Sequence, residues 1–228
     1  MDERLGVIDR RLTLRYLQYR GGAVPEDLLR EIVRAEDLLR ETARPRVTWR
    51  LFDRRDDGSL AGTDFRPAGE NVARLLRDCD QVILMAATLG AETEALLRRA
   101  QARDMALAVI LDAAGSAAIE GVCDRLCAQL AERFAPRCLT DRYSPGYGDM
   151  PLSQQAELCR VLELDKRIGV TLSPGGLMLP QKSVTALLGA ADRPQPRRAT
   201  GCEACGNRDA CQYRKVGTDC GQYRTAAP

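Results

Sequence analysis

The 228-residue chain contains no histidine. Its absence removes the side chain most often used as a general base near neutral pH, the commonest zinc ligand, and the histidine that often ligates a corrinoid cobalt. Lysine is almost missing too: only Lys166, Lys182 and Lys215 occur, and every other basic residue is arginine. The N-terminus has no charged stretch leading into an apolar one, and the longest apolar runs fall far short of a membrane span. A cytoplasmic protein without membrane contact is therefore expected.

Charge of one sign is not in excess either, with a formal net charge of +2. The arginines are interspersed with Asp and Glu, as in Arg30 to Arg40 (REIVRAEDLLR), at the three- and four-residue spacings of helix-surface ion pairs. A nucleic-acid partner would call for a one-sided basic stripe, so none is expected. With 45% hydrophobic and 29% charged residues the composition is that of a folded chain long enough to bury a proper core.

The order of patterns is informative. Residues 8–19 and those after Pro25 read as two helices broken at Gly21 and Gly22. Val47 to Phe52 (VTWRLF) and Gln81 to Ala87 (QVILMAA) read as strands, the second buried. A short helix is expected from about Gly69 to Arg77, another after Gly90, and a long one from Asp104 to about Phe134, interrupted at Gly115 and Gly121. Ser153 is the expected N-cap of a further helix. Val170 to Leu188, punctuated by Pro174, Gly175, Gly176 and Pro180, reads as paired strands joined by tight turns. Strands interleaved with helices without a strict βαβ rhythm predict an α+β fold, a mixed or antiparallel twisted sheet with flanking helices. Ala191 to Thr200 (ADRPQPRRAT) reads as a linker, dividing the chain into a domain over residues 1–195 and a small cysteine-rich tail over residues 196–228.

Two segments carry candidate chemistry. In Arg142 to Asp149 (RYSPGYGD), Pro145 fixes φ and Gly146 allows a positive one, so Ser144, Pro145, Gly146 and Tyr147 can hold the backbone on one unusual path against a ligand. The Arg142 guanidinium suits a carboxylate, and the Tyr147 ring suits a purine or a sulfonium. The bland alternative is an exposed turn with a solvated arginine.

The tail holds Cys202, Cys205, Cys211 and Cys220 at C-x2-C-x5-C-x8-C spacing. Four thiolates so loosely spaced suit a [4Fe–4S] cluster, with structural zinc as the alternative. Cys79, Cys123, Cys127, Cys138 and Cys159 lie in apolar or helical patterns and read as small core residues.

From about Leu12 to Ala190 the sequence resembles the stand-alone activation subunit of cobalamin-dependent methionine synthase, related to the S-adenosylmethionine-binding activation domain of the full-length enzyme. The resemblance rests on Leu14 to Gly21 (LRYLQYRG), Ala87 to Gly90 (ATLG), Asp112 to Glu120 (DAAGSAAIE), Arg142 to Tyr147 (RYSPGY), and on Met178, Pro180, Ser183 and Val184. It implies that Arg142, Gly146 and Tyr147 hold the methionine part of S-adenosylmethionine, with Glu120 near its amino group and Tyr143 and Asp149 as neighbours. Ala186 to Ala190 (ALLGA) departs from the family in having no aromatic.

The activity so implied is accessory and needs no catalytic acid or base: reductive methylation of cob(II)alamin carried by a partner methionine synthase, with flavodoxin or ferredoxin as electron donor. Two other readings are an activator of another corrinoid methyltransferase and a non-catalytic sensor of S-adenosylmethionine.

Overall fold

The structure is a computed structural model describing residues 5–19, 22–195, 209–211 and 215. Its centre is the apolar run predicted as a buried strand. β2 (Gln81–Thr88) is buried at every position after the first, so each successive side chain must be covered on one face or the other. β1 (Arg46–Asp53) and β6 (Ser183–Ala191) flank it, both antiparallel, and β3 (Cys138–Leu139) adds to the far side of β6. The sheet order is thus β1-β2-β6-β3, fully antiparallel, and the α+β expectation is met. A separate hairpin pairs β4 (Thr171–Leu172) with β5 (Met178–Leu179).

Alternation along the strands sorts the core into two layers. Val47, Ile83, Met85, Ala87, Ala186 and Leu188 face the helices α1 (Arg10–Tyr16), α2 (Glu26–Thr42), α4 (Ala91–Arg103) and α5 (Met105–Phe134). Phe52, Val82, Leu84, Ala86 and Leu187 face the opposite layer, which contains α3 (Glu70–Leu75), α6 (Gln154–Val161) and α7 (Leu164–Arg167). Ile83 and Leu84, adjacent in sequence, are both fully buried on opposite faces, each contributing about 1.5–3 kcal/mol.

α1 is capped by Asp9, whose carboxylate accepts from the Arg11 and Leu12 amides (2.8 and 3.3 Å). It is tied to α2 by Glu36, buried and held by Arg10 (2.8 and 3.0 Å) and Arg40 (3.0 Å).

Four expectations change. α5 runs unbroken through Gly115 and Gly121. At Gly115 the missing Cβ makes room for Lys182, whose methylenes would lie 3.4–3.6 Å from it. By length and composition α5 could also cross a membrane, although the apolar runs read as too short; 67% of its apolar window is buried, as in a core helix. Ser153 precedes α6 but makes no side-chain cap. Val170 to Leu188 splits between the β4–β5 hairpin and the main sheet, because β6 is apolar enough to be buried on both faces.

The chain divides into two units, Met1–Gln195 and Pro196–Pro228. In the second, the Lys215 amide donates to the Cys211 carbonyl (3.2 Å).

Candidate functional site

The segment from Thr140 to Met150 is fastened to the framework at several points. The Thr140 amide donates to the Gly189 carbonyl and the Gly189 amide to the Thr140 hydroxyl, both at 2.9 Å. Tyr143, buried, exchanges both backbone hydrogen bonds with Leu187 of β6 (2.9 and 2.8 Å). Beyond the turn, the Asp149 carboxylate accepts from the Glu70 amide (2.6 Å) and the Asn71 amide (3.2 Å), capping α3 from a distant part of the chain. The residue at the α3 N-cap is Gly69, with φ 112° and no side chain of its own to do this. A Cβ there would come within 2.7 Å of Asp149 Oδ1. Asp149 is thus a fastening for the loop.

Between these fastenings the Tyr147 amide donates to the Ser144 carbonyl (3.1 Å) with Gly146 at φ 86°, a type II turn with Pro145 and Gly146 at its central positions. Pro145 is buried and Ser144 half-buried, while Gly146 and Tyr147 are exposed. The Tyr147 ring meets Tyr143 edge to face, centroids 6.3 Å apart.

Arg142 turns back onto α5. One terminal nitrogen bonds Glu120 and the other Asp124. These carboxylates lie four residues apart on one helix face, so one planar fork can span them. Burial works against the guanidinium charge, but the hydrogen bond to Asp124 and the charge of Glu120 outweigh it and hold Arg142 protonated beyond its usual range. Burial likewise raises the Cys127 and Cys123 thiols against the lowering influence of Arg142, keeping both as neutral packing residues. Cys127 Sγ lies 3.8 Å from Met85 Sδ.

The polar face of α5 continues in the other direction through Ser116 and Asp112. Lys182 joins both, at 2.9 and 2.7 Å. Tyr16, from the last turn of α1, has its pKa raised by burial first and then by the nearby Glu120 carboxylate, against the lowering influence of Arg15 and Arg142. On its other side Tyr16 borders a concavity of about 240 Å³ that also includes Met105, Val109 and Asp112. Met105 and Val109 are 62% and 53% exposed, apolar side chains left uncovered beside a polar cluster.

Of the residues singled out in the sequence, Glu120, Arg142, Ser144, Pro145, Gly146 and Tyr147 therefore fall in one region. Asp124 and Tyr16 were missed. Asp124 was legible as the next i+4 position after Glu120; Tyr16 lies within the Leu14 to Gly21 segment that carries the family resemblance, though its own pattern pointed only to a helix. The Ala186 to Ala190 segment, lacking an aromatic, is interior to β6. Among the described residues no group of three or more metal-ligating side chains forms. Cys202, Cys205 and Cys220 lie outside the described residues, and Cys211 is half-buried.

No protein-family model matches this sequence, and no curated protein matches it. Among solved structures the chain is similar to the "Crystal Structure of the MetH Reactivation Domain bound to AdoHcy", with a TM-score of 0.60 and 18% sequence identity, over 93% of this chain and 82% of that one. At that identity the likeness is one of fold.

Proposed function

We propose that this protein binds S-adenosylmethionine along the polar face of α5, between Tyr16 and the Ser144–Tyr147 turn. From there it supports reductive methylation of cob(II)alamin on a partner cobalamin-dependent methionine synthase. The observation that carries the reading is the Arg142 fork spanning Glu120 and Asp124 beside a type II turn, in a fold shared with a domain that holds AdoHcy.

The donor set fits the ligand. S-adenosylmethionine carries a carboxylate, an ammonium and a sulfonium, one net positive charge, whereas Arg142, Glu120 and Asp124 together carry one net negative charge. In this reading Arg142 takes the ligand carboxylate and Glu120 the ammonium. The turn backbone at Gly146 and the Tyr147 ring flank the sulfonium. The adenosine lies toward Tyr16 and the Met105–Val109 concavity. Val109 and Glu120 are eleven residues apart on one helix, about 16 Å at 1.5 Å per residue, a span suited to an extended nucleoside–amino acid conjugate.

S-adenosylmethionine held here would supply a methyl group and leave as S-adenosylhomocysteine, the acceptor being the partner's cobalamin after one electron from a flavodoxin or ferredoxin has taken it from cob(II) to cob(I). The chain itself binds and orients the donor. No proton is transferred at these residues, in keeping with the absence of histidine. The protein acts as a separate cytoplasmic subunit, with residues 1–195 as the activation-like domain. Cys202, Cys205, Cys211 and Cys220 form the thiolate donor set for a [4Fe–4S] cluster or a zinc ion.

Calorimetry with S-adenosylmethionine on the wild type and Arg142→Ala tests the site. One charge-assisted contact contributes about 1.5–3 kcal/mol, so the variant should bind at least about tenfold more weakly. Unchanged affinity would refute the site assignment. Appearance of the methylcobalamin spectrum on a reduced partner synthase tests the activity. Tight binding with no methylation of any corrinoid protein would favour the sensor reading. Metal content and visible absorption after anaerobic isolation test the tail, where one zinc and no iron would rule out the cluster.

A further inference from the structure

Edge strand β1 lies at the opposite end of the sheet from the Arg142 loop and borders a second concavity, of about 460 Å³, within the usual range for small-molecule sites. Three guanidinium groups line it, from Arg50 on β1, Arg55 on the following turn and Arg160 near the end of α6. Arg50 is held in place: Nη1 donates to the Val161 carbonyl (2.9 Å) and the guanidinium lies 5.1 Å from the centroid of the Phe52 ring. Only one of its N–H groups is used in these contacts, so the rest of the fork is available to a ligand. Arg55 donates to the Ser59 hydroxyl at a long 3.3 Å, while Arg160 has no ion pair or side-chain hydrogen bond among the described residues.

Nearby carboxylates do not cancel this charge. Glu163, in the left-handed conformation with φ 51°, is engaged by Lys166 (3.5 Å) and Arg167 (3.7 Å). Asp57 accepts from the Ser59 amide (2.9 Å) and hydroxyl (2.7 Å), which hold it ionised, and its charge is shared between Arg66 and Arg55. Asp64, exposed, is left against three arginines. Three arginines lining one concavity, one of them held against an aromatic ring, offer donors to a multivalent planar or tetrahedral oxyanion, since arginine bonds phosphate oxygens in pairs.

We infer that this concavity is a binding site for a phosphate-bearing small molecule, separate from the site on α5 and independent of it. The probe is pyrophosphate, titrated into the full chain at constant ionic strength and followed by calorimetry. One saturable site is expected. Arg160→Ala and Arg55→Ala, both at exposed positions and harmless to folding, should each weaken it at least about tenfold, the loss of one charge-assisted contact. Arg98→Ala, an exposed i,i+4 pair on α4, should leave it unchanged. S-adenosylmethionine affinity should be the same in Arg160→Ala as in the wild type, so failure here is distinguishable from failure of the α5 site. Absence of saturable binding, equal binding in Arg160→Ala and Arg55→Ala, or reproduction of the effect by chloride at matched ionic strength would overturn the inference. Tighter binding of poly-glutamate than of pyrophosphate would overturn it in favour of an acidic protein surface.

Discussion

Replacing Asp124 by alanine should separate two roles that the Arg142 cluster combines. Both terminal nitrogens of Arg142 already bond carboxylates, those of Glu120 and Asp124, so an arriving ligand carboxylate competes with them for the guanidinium. The Asp124 side chain is 69% exposed and that of Glu120 25%, so Asp124 is the one that yields. An ion pair that exposed is worth about 0.2–1 kcal/mol, so Asp124→Ala should improve the affinity for a zwitterionic ligand by up to about fivefold. S-adenosylhomocysteine, which lacks the sulfonium, reports this term alone. For S-adenosylmethionine the gain is offset, because the variant also removes one negative charge that attracts the sulfonium. Its affinity should change little, and the preference for S-adenosylmethionine over S-adenosylhomocysteine should shrink. Calorimetric titrations of both ligands into both proteins at low salt measure the four constants needed. Weakening of S-adenosylhomocysteine binding by more than about fivefold would mean that Asp124 contacts the ligand itself. An unchanged preference between the ligands would remove the charge argument.

Three further outcomes concern the framework. Gly189→Ala would place a Cβ 2.8 Å from Leu76 Cδ2 and 3.0 Å from Cys79 Cβ, with Cys79 Sγ closer still; denaturant unfolding should show a loss of about 1–3 kcal/mol. Glu36→Gln removes the buried charge held by Arg10 and Arg40, and unfolding should again register about 1–3 kcal/mol, while Asp37→Asn one position away, with an exposed carboxylate, should fall within about 0.5 kcal/mol. Burial pushes the Cys79 thiol from 9.0 up to about 11. Its contribution is present below pH 9 and is lost as pH rises toward 11, where the unfolded thiol has ionised and the folded one has not. Unfolding curves across that interval should flatten in Cys79→Ala, and an unaltered slope would show that the thiol is not desolvated.

How much of this was legible in the sequence depends on whether the signal was local. Gln81 to Ala87 announced a doubly buried strand because a sheet with helices on both faces leaves no polar position in its central strand. Pro145 and Gly146 announced their turn because each backbone preference acts within the turn itself. Other signals misled for the same reason. Gly115 has the local character of a helix breaker, yet its role is set by Lys182, sixty-seven positions later. Ser153 carries a capping side chain that goes unused, whereas α3 is capped by Asp149 from seventy-nine positions away. Asp149, a ligand neighbour by the family resemblance, also serves the framework: the fold turns it toward Glu70, which its own sequence neighbours do not announce. Tyr16 could join the site only once α1 had been laid against α5, a packing that periodicity alone cannot assign.

The fastening of the Arg142 loop also bears on how a ligand would be received. Tyr143 is paired with β6, Met150 is buried and Asp149 is bound to α3, so the turn between them is ordered when the chain folds, before any ligand arrives. Ordering a loop on binding would subtract several kcal/mol from the affinity and leave a large negative heat-capacity change. A receptor built in advance binds without that signature: recognition draws on the polar groups displayed, and a substitution at Gly69 would be felt at Tyr147 as a loss of readiness, without removal of any contact.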